Sequence, residues 1–471
     1  MHTIKTDLVI VGGGSAGFGA AHSALEFGRD KIKIVLIEKN SGLGGTSTFG
    51  GVNCWEPGVG GPGIHYEMAH RLLQNPMEAN VARVITKPDN NHPWAFLKAV
   101  EEPYENTLRR SALQREKWRR FRFEADALSK TMYELLSCHN NIDIMLNTQY
   151  ISAELYRGRI AYIYVRDKFS GENYKIFSRM FVDASADIAM ARDCGCKYTM
   201  GEDAAGTYNE PSAPPEKSGA VNAVSLIFRA SRVTNECIDP IPDNFKSIDV
   251  SSWFEQKVSN CKLYSQIGEY YNGDINVNML PTMEGAEYFS IPEDEAIRVS
   301  KARAWRYWNW LQTEKGMSIY TFKGFFPMSG IREAYRLTGK YVLNENDVRG
   351  GLLKQNLREE LIAFSDHALD THGDNGGCRE LDQPYGIPYR CLLQDEIENL
   401  IVACRGASFS HIAASSCRLS RTMTGIGEAA GAAAIIAIEE NKLPAEISVQ
   451  LLRSRLGMAV FEEKIVKEWD L

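Results

Sequence analysis

No C-x-x-C pair occurs among the ten cysteines of this 471-residue chain, so neither an iron–sulfur framework nor a structural zinc site has its usual ligand spacing. The closest two, Cys194 and Cys196, read as buried thiols rather than a redox couple. Long apolar runs are missing too. Gly431 to Ile438 comes nearest, far short of the roughly 20 residues of a membrane helix. No charged-then-apolar leader precedes the first apolar segment, and a cytoplasmic address is the expectation. Excess positive charge is absent as well: a net charge of −7 gives no general attraction for phosphate, which disfavours bulk nucleic-acid binding. What is there is ordinary globular composition, 44% hydrophobic and 24% charged, over a length suited to two or three domains.

The most informative segment runs from Asp7 to Gly17, where the apolar run Leu8-Val9-Ile10-Val11 feeds into Gly12-Gly13-Gly14-Ser15-Ala16-Gly17. Gly12 suits a tight turn, Gly14 leaves bare backbone against a pyrophosphate, and Gly17 lets a helix pack close to its strand. The following segment, Phe18 to Glu26, reads as a helix whose N-terminal N–H groups and dipole face the phosphates. A second strand, Ile32 to Ile37, ends at Glu38 and Lys39; an acid about twenty residues past the last glycine can accept hydrogen bonds from ribose hydroxyls. NAD and FAD share this element. The second glycine segment, Gly42 to Gly51 with Gly44, Gly45 and Thr46 at its centre, brings more backbone N–H groups toward the same pyrophosphate and favours FAD. A flavin disulfide reductase would carry a dithiol there, whereas this chain has Ser47, Thr48 and Phe49.

Farther along, Asn53 to Pro62 reads as an irregular loop crossing the flavin face, and residues from about His65 to Leu136 read mostly as helices and loops. A strand follows over Ile142 to Ile151, then a β-meander over Leu155 to Phe177. Met180 to Asp187 is a further short strand ending in small residues, among them Ala184, a good edge for a dinucleotide. From Gly201 to about Gln383 prolines and aromatics increase, with a helix around Ile297 to Leu311, as expected of a substrate-contacting cap. No third glycine fingerprint appears, so a separate nicotinamide domain is not expected. Near the end, Leu400 to Cys404 reads as a buried strand, and Thr424 to Gly431 as the start of an alanine-rich helix. Its small residues Gly425 and Gly427 would either approach the cofactor ring edge or pack the helix on the sheet.

With these pieces the chain resembles the FAD-dependent oxidoreductases of the glutathione-reductase-type flavoprotein superfamily, most of all the branch loosely related to fumarate reductase and succinate dehydrogenase flavoprotein subunits. The matching motifs are Val11 to Gly17, Gly44-Gly45-Thr46, Val182 to Asp187, Gly330 to Arg336, Tyr385 to Arg390 and the run from Asn399 to Gly431. The resemblance implies FAD held without a covalent bond, since no histidine lies between Ser41 and Ile64. It also shows a departure, Cys404 standing beside Arg405 where relatives usually have glycine.

The fold class expected is α/β, a Rossmann-like FAD-binding domain with a parallel sheet and β-meander plus an inserted α+β substrate or cap domain. Residues 1–50, 120–200 and 385–445 would form the cofactor domain, 51–119 a helical insertion, 201–384 the cap and 446–471 a helical tail. The cofactor set is Gly12, Gly14, Ser15, Ala16, Gly17, Glu38, Lys39, Gly44, Gly45, Thr46, Ala184, Arg405, Gly425 and Gly427. Because flavin chemistry belongs to the cofactor, the protein has to place a substrate and move a proton. His411 is the candidate proton handler, with a structural role as the alternative. Arg332, Arg336 and Arg418 are candidates to hold a carboxylate or hydroxyl-rich substrate, or else to sit in structural ion pairs; Arg332 and Arg336 would share a helix face. The activity expected is hydride transfer between a small polar substrate and FAD. The alternatives are a fumarate-type reductase of an activated double bond and a flavin-carrying RNA-modification protein. The last is prompted by Arg109, Arg110, Arg115, Lys117, Arg119, Arg120 and Arg122, which read more simply as a solvated helix face or an internal contact to acidic loops. The partner expected is therefore a small molecule, with neither nucleic acid nor membrane.

Overall fold

The computed structural model describes residues 2–86, 94–101, 119–259, 265–278, 281–372 and 377–471. Four apolar segments, Leu8–Val11, Ile34–Ile37, Met180–Asp183 and Leu400–Val402, are buried along their whole length. Together with Ile142–Met145 they form a five-stranded, all-parallel sheet. Leu8–Val11 lies at its centre, between Ile34–Ile37 and Met180–Asp183. Strands covered on both faces need apolar residues at every position, hence the unbroken runs. Leu8, Ile10, Ile34 and Leu36 face helices Ser15–Gly28 and Ser420–Glu440. Val9, Val11, Val35 and Ile37 face the meander through Ile160, Ile163, Val165 and Ile176. The molecule is thus α/β, with a Rossmann-like parallel sheet layered between helices and an antiparallel meander.

The expected strand Ile142 to Ile151 is two strands. At Asn147 the chain takes a left-handed turn with φ +53°, so Ile142–Met145 stays in the parallel sheet while Thr148–Tyr156 enters the meander.

The helical reading of residues 51–119 needs a larger correction. Helix Ile64–Leu73 is present, but Ala79–Thr86, Trp94–Val100 and Arg119–Phe123 are strands. They join Cys54–Trp55, Phe228–Arg232, Ser265–Glu269, Ile275–Asn278 and Tyr320–Phe325 in one eight-stranded mixed sheet. The arginine run is part of this. Phe121 and Phe123 enter the core, and Arg120 and Arg122, between them in a period of two, are buried as well. The solvated helix face is therefore absent from the described part of the run, while Arg109, Arg110, Arg115, Lys117 and Trp118 lie outside the described residues. The aromatic helix does form, as Glu293–Glu314, and packs Trp305, Trp308 and Trp310 with Phe228 and Ile275 on the second sheet. Among the described residues no helix is long and apolar enough to cross a membrane.

Candidate active site

The glycine turn takes the shape its residues dictate. Gly12 has φ +105°, and a Cβ there would lie 2.3 Å from the Ala184 carbonyl oxygen. At Gly17 a Cβ would stand 1.7 Å from the Gly12 carbonyl oxygen, so the helix can approach its strand only without one. Gly14, at the head of helix Ser15–Gly28, differs: a Cβ there would meet nothing within 4 Å. First-turn N–H groups, here those of Ser15 and Ala16, have no intrahelical acceptor. The second glycine segment closes on the same place. Gly44 and Gly45 have φ +106° and +52°, the Gly44 N–H donates to the Gly13 carbonyl at 2.8 Å, and a Cβ on Gly45 would lie 3.2 Å from Gly14 Cα. Two bare backbones and a helix N-terminus make a cradle that side chains would fill, which suits the pyrophosphate of FAD.

Glu38 is buried at the end of strand Ile34–Ile37, where its carboxylate accepts from the Gly13 N–H at 2.6 Å and from the Asn40 backbone and side chain at 2.8 and 2.7 Å. Burial raises its pKa and these bonds oppose the rise. Lys39 is exposed.

Helix Ser420–Glu440 begins four residues before the expected start at Thr424, so Gly425 and Gly427 lie inside it. A Cβ on Gly427 would stand 2.0 Å from the Ala16 carbonyl oxygen, and one on Gly425 would stand 3.3 Å from Gly61 Cα. Both glycines serve close packing, and the residues the helix start brings forward are Ser420 and Arg421. The Ser420 hydroxyl lies 2.9 Å from that of Ser47 in the second glycine segment.

Between this helix start, the second glycine segment and the eight-stranded sheet lies a cavity of about 730 Å³. Ligand sites span roughly 300–1,000 Å³. Thr46, Arg332, Arg405 and Arg418 line it, while Arg336 and His411 do not. Arg336 is fully buried elsewhere, with its guanidinium on Glu333, on Asp203 at 2.9 Å and on the Gly201 and Phe409 carbonyls at 2.8 and 3.0 Å. The segment before it is irregular, and Arg336 opens strand Arg336–Leu337 rather than sharing a helix face with Arg332. His411 belongs to the same cluster, with Nδ1 2.9 Å from Glu333 Oε2. Burial opposes its protonation, but the charge and hydrogen bond of Glu333 raise its pKa overall. Neither residue faces the cavity, and both sit in this buried ion-pair cluster.

The titratable groups that do reach the cavity include three the sequence reading missed, His367, Asp370 and His372. His372 Nε2 is 2.9 Å from Asp370 Oδ2, and Arg418 Nη2 is 3.0 Å from the same oxygen. Burial works against ionising Asp370, yet hydrogen bonds from His367 and His372 and the charge of Arg418 hold its pKa well below the carboxylate range. Burial, with the charges of Arg332 and Arg418, pushes the His372 pKa down to about 4. Among the described residues Arg332 donates only to neutral groups, the Ala223 carbonyl at 2.7 Å and the Ser225 hydroxyl at 3.1 Å. Burial and then the neighbouring Arg418 push its pKa down to about 9. Cys404 is buried and its thiol is pushed up to about 12, which leaves it inert as a nucleophile. The missed trio had one signal: Asp370 and His372, two apart in an extended segment, share a face.

Among solved structures, the chain is similar to a geranylgeranyl bacteriochlorophyll reductase-like protein from Thermoplasma acidophilum (13% identity, 99% of this chain and 86% of that one, TM-score 0.47). It is also similar to p-nitrophenol 4-monooxygenase from Pseudomonas putida DLL-E4 (12% identity, 100% and 88%, TM-score 0.41). A third likeness is L-proline dehydrogenase from P. horikoshii (8% identity, 93% and 95%, TM-score 0.39). No curated protein matches the chain. The model of the family described as FAD dependent oxidoreductase matches residues 7–456, nearly the whole length over which the cradle and cavity are built, and the chain belongs to that family: it is an oxidoreductase whose cofactor is FAD.

Proposed function

We propose that the chain oxidises a small anionic substrate whose carboxylate is held by Arg332 and Arg418. FAD, held along the two glycine segments, supplies the two-electron acceptor for a hydride. Gly12, Gly14, Ser15, Ala16, Gly17, Gly44 and Gly45 bind its pyrophosphate, and Glu38 its ribose. Arg332 carries this reading: it is a guanidinium at the cavity wall whose own bonds go only to neutral groups, beside a second cation. A cation so placed is underpaired until an anion arrives.

His372 takes the proton that the substrate's hydroxyl or amine releases as its C–H bond breaks. With Nε2–H donating to Asp370, its Nδ1 lone pair is the base. Asp370 fixes that tautomer and steadies the imidazolium, a positioning role. We further read strands 54–55, 79–86, 94–100 and 119–123 as part of the substrate unit, because they share its sheet. Anaerobic bleaching of the flavin by hydroxy acids and amino acids, with neutral sugars and simple amines inert, is the expected result. Reduction by neutral donors only, or by none at full FAD occupancy, overturns it.

The reverse reaction, reduction of an activated double bond, has one observation in its favour: Arg332, at about 9, is a far better proton donor than an ordinary guanidinium. Fast reoxidation of the chemically reduced enzyme by enoates but not by oxygen would establish that direction.

A further inference from the structure

Beside the large cavity lies a second, much smaller one of about 20 Å³. The two share Val52, Cys54, Gln266 and Asn278 as lining, so they adjoin. The small pocket is unusual in its chemistry. Side-chain amides surround it, from Asn53, Gln266, Asn276 and Asn278, and its one charged group is Arg122.

Arg122 is 2% exposed, and among the described residues no carboxylate pairs with it. Its Nη1 donates to the Glu269 carbonyl, and its Cζ lies 5.1 Å from the centre of the Tyr270 ring. Among the described residues its Nη2 has no hydrogen-bond partner, and neither has the Oδ1 of Asn278. Two of the nearby acids are taken by another cation: Arg229 binds both Glu124, at 2.6 Å, and Asp274, at 2.6 Å. Asn53 and Asn276 already donate to the Phe123 and Gly51 carbonyls, each at 3.0 Å, and so are held in place. The guanidinium has no room to withdraw, since a Cβ on Gly268 would lie 2.5 Å from its Cζ.

An unpaired donor on a buried cation is costly, and a group that satisfies it is bound with strong discrimination. A pocket of this size takes one small terminal group, since about 10–15 Å³ holds a single water. A carboxylate oxygen offers Arg122 an acceptor, and Asn278 can turn its amide to donate.

We propose that the substrate carries two acidic ends, one between Arg332 and Arg418 and the other in the amide-lined pocket against Arg122. This rests on the reading of Arg332 and Arg418 as carboxylate holders and adds a length and charge requirement to it. The enzyme then prefers a dicarboxylate of matching length to a monocarboxylate or to the half-amide of the same acid.

The test is titration of the FAD-loaded enzyme with saturated α,ω-dicarboxylates of increasing length, their half-amides and the matching monocarboxylates, followed by flavin absorbance and by calorimetry. At one chain length the dicarboxylate should bind about tenfold or more tighter than the other two classes. Arg122→Gln should abolish that preference while monocarboxylate affinity stays within about twofold. Asn278→Leu, at a half-buried position that lines both cavities, should do the same if Arg122→Gln fails to fold. Monocarboxylates binding as tightly as every dicarboxylate, or a preference that survives both substitutions, overturns the second site and means that the pocket holds only water. The carboxylate site itself would still stand in that case, provided Arg332→Gln weakens monocarboxylates. No binding by any of the three classes overturns both.

Discussion

His372 sits in the cavity with a pKa near 4, so it is a neutral base throughout the usual assay range. The rate of flavin reduction should accordingly fall on the acid side near pH 4 rather than near 6.5. His372→Asn should slow reduction by about 10²- to 10⁴-fold at unchanged FAD content, in stopped-flow measurements. Arg332→Gln should raise the KM for an anionic donor by about 10- to 100-fold and leave the thermal midpoint nearly unmoved, because its own partners are neutral. Residue chemistry was only partly legible in the sequence. Arg332 and Arg336 look alike there, four apart in one motif, and differ only in what the fold brings to them. Arg336 meets Asp203, more than a hundred positions away, whereas Arg332 meets a carbonyl, a hydroxyl and the open cavity. His411 left its proton-handling and structural readings open there for the same reason, since Glu333 reaches it only through the tertiary fold.

Elements were far more legible where burial on both faces left a continuous apolar run, as in Leu8–Val11 and Met180–Asp183. They were less so where period-two patterns carried arginine. In Arg119–Phe123 the buried cations Arg120 and Arg122 disguise a strand as a basic surface helix. The pairing of helix Ser15–Gly28 with helix Ser420–Glu440 rests in part on Gly427, for which the sequence reading offered a packing role beside a cofactor one. Gly427→Ala would press a methyl to 2.0 Å from the Ala16 carbonyl oxygen. Overpacking of this kind costs about 1–3 kcal/mol, and it would displace the first turn that holds the pyrophosphate. A lower thermal midpoint together with loss of FAD on gel filtration is the expected outcome. Gly206→Ala, in a short helix with open space around it, should change neither.

At the scale of the molecule, buried groups pull stability in opposite directions as pH changes, and two of them favour the acid side. Glu428 is pushed up from 4.5 to about 7 by burial, so its contribution is complete below 4.5 and is lost as pH rises through 7. His411, raised above 6.5 by Glu333, gives a contribution present below 6.5 and lost as pH climbs through its raised value. Urea midpoints should therefore decline above pH 6.5, while below it the fall from Glu428 is opposed by His65 and His372, which burial pushes down to about 3 and about 4. Glu428→Gln should flatten the fall between 4.5 and 7, and a curve unchanged by that substitution would contradict the assignment. The parallel sheet has a consequence for biosynthesis: its central strand, Leu8–Val11, is flanked by Met180–Asp183, which in turn pairs with Leu400–Val402, and its first helix is backed by Ser420–Glu440. The nucleotide turn leaves the ribosome ahead of the rest of this sheet, and it lacks its supporting wall until residue 440 has cleared the exit tunnel. Loading of the vitamin-derived cofactor thus waits for that residue, and a nascent chain stalled before that point should emerge colourless.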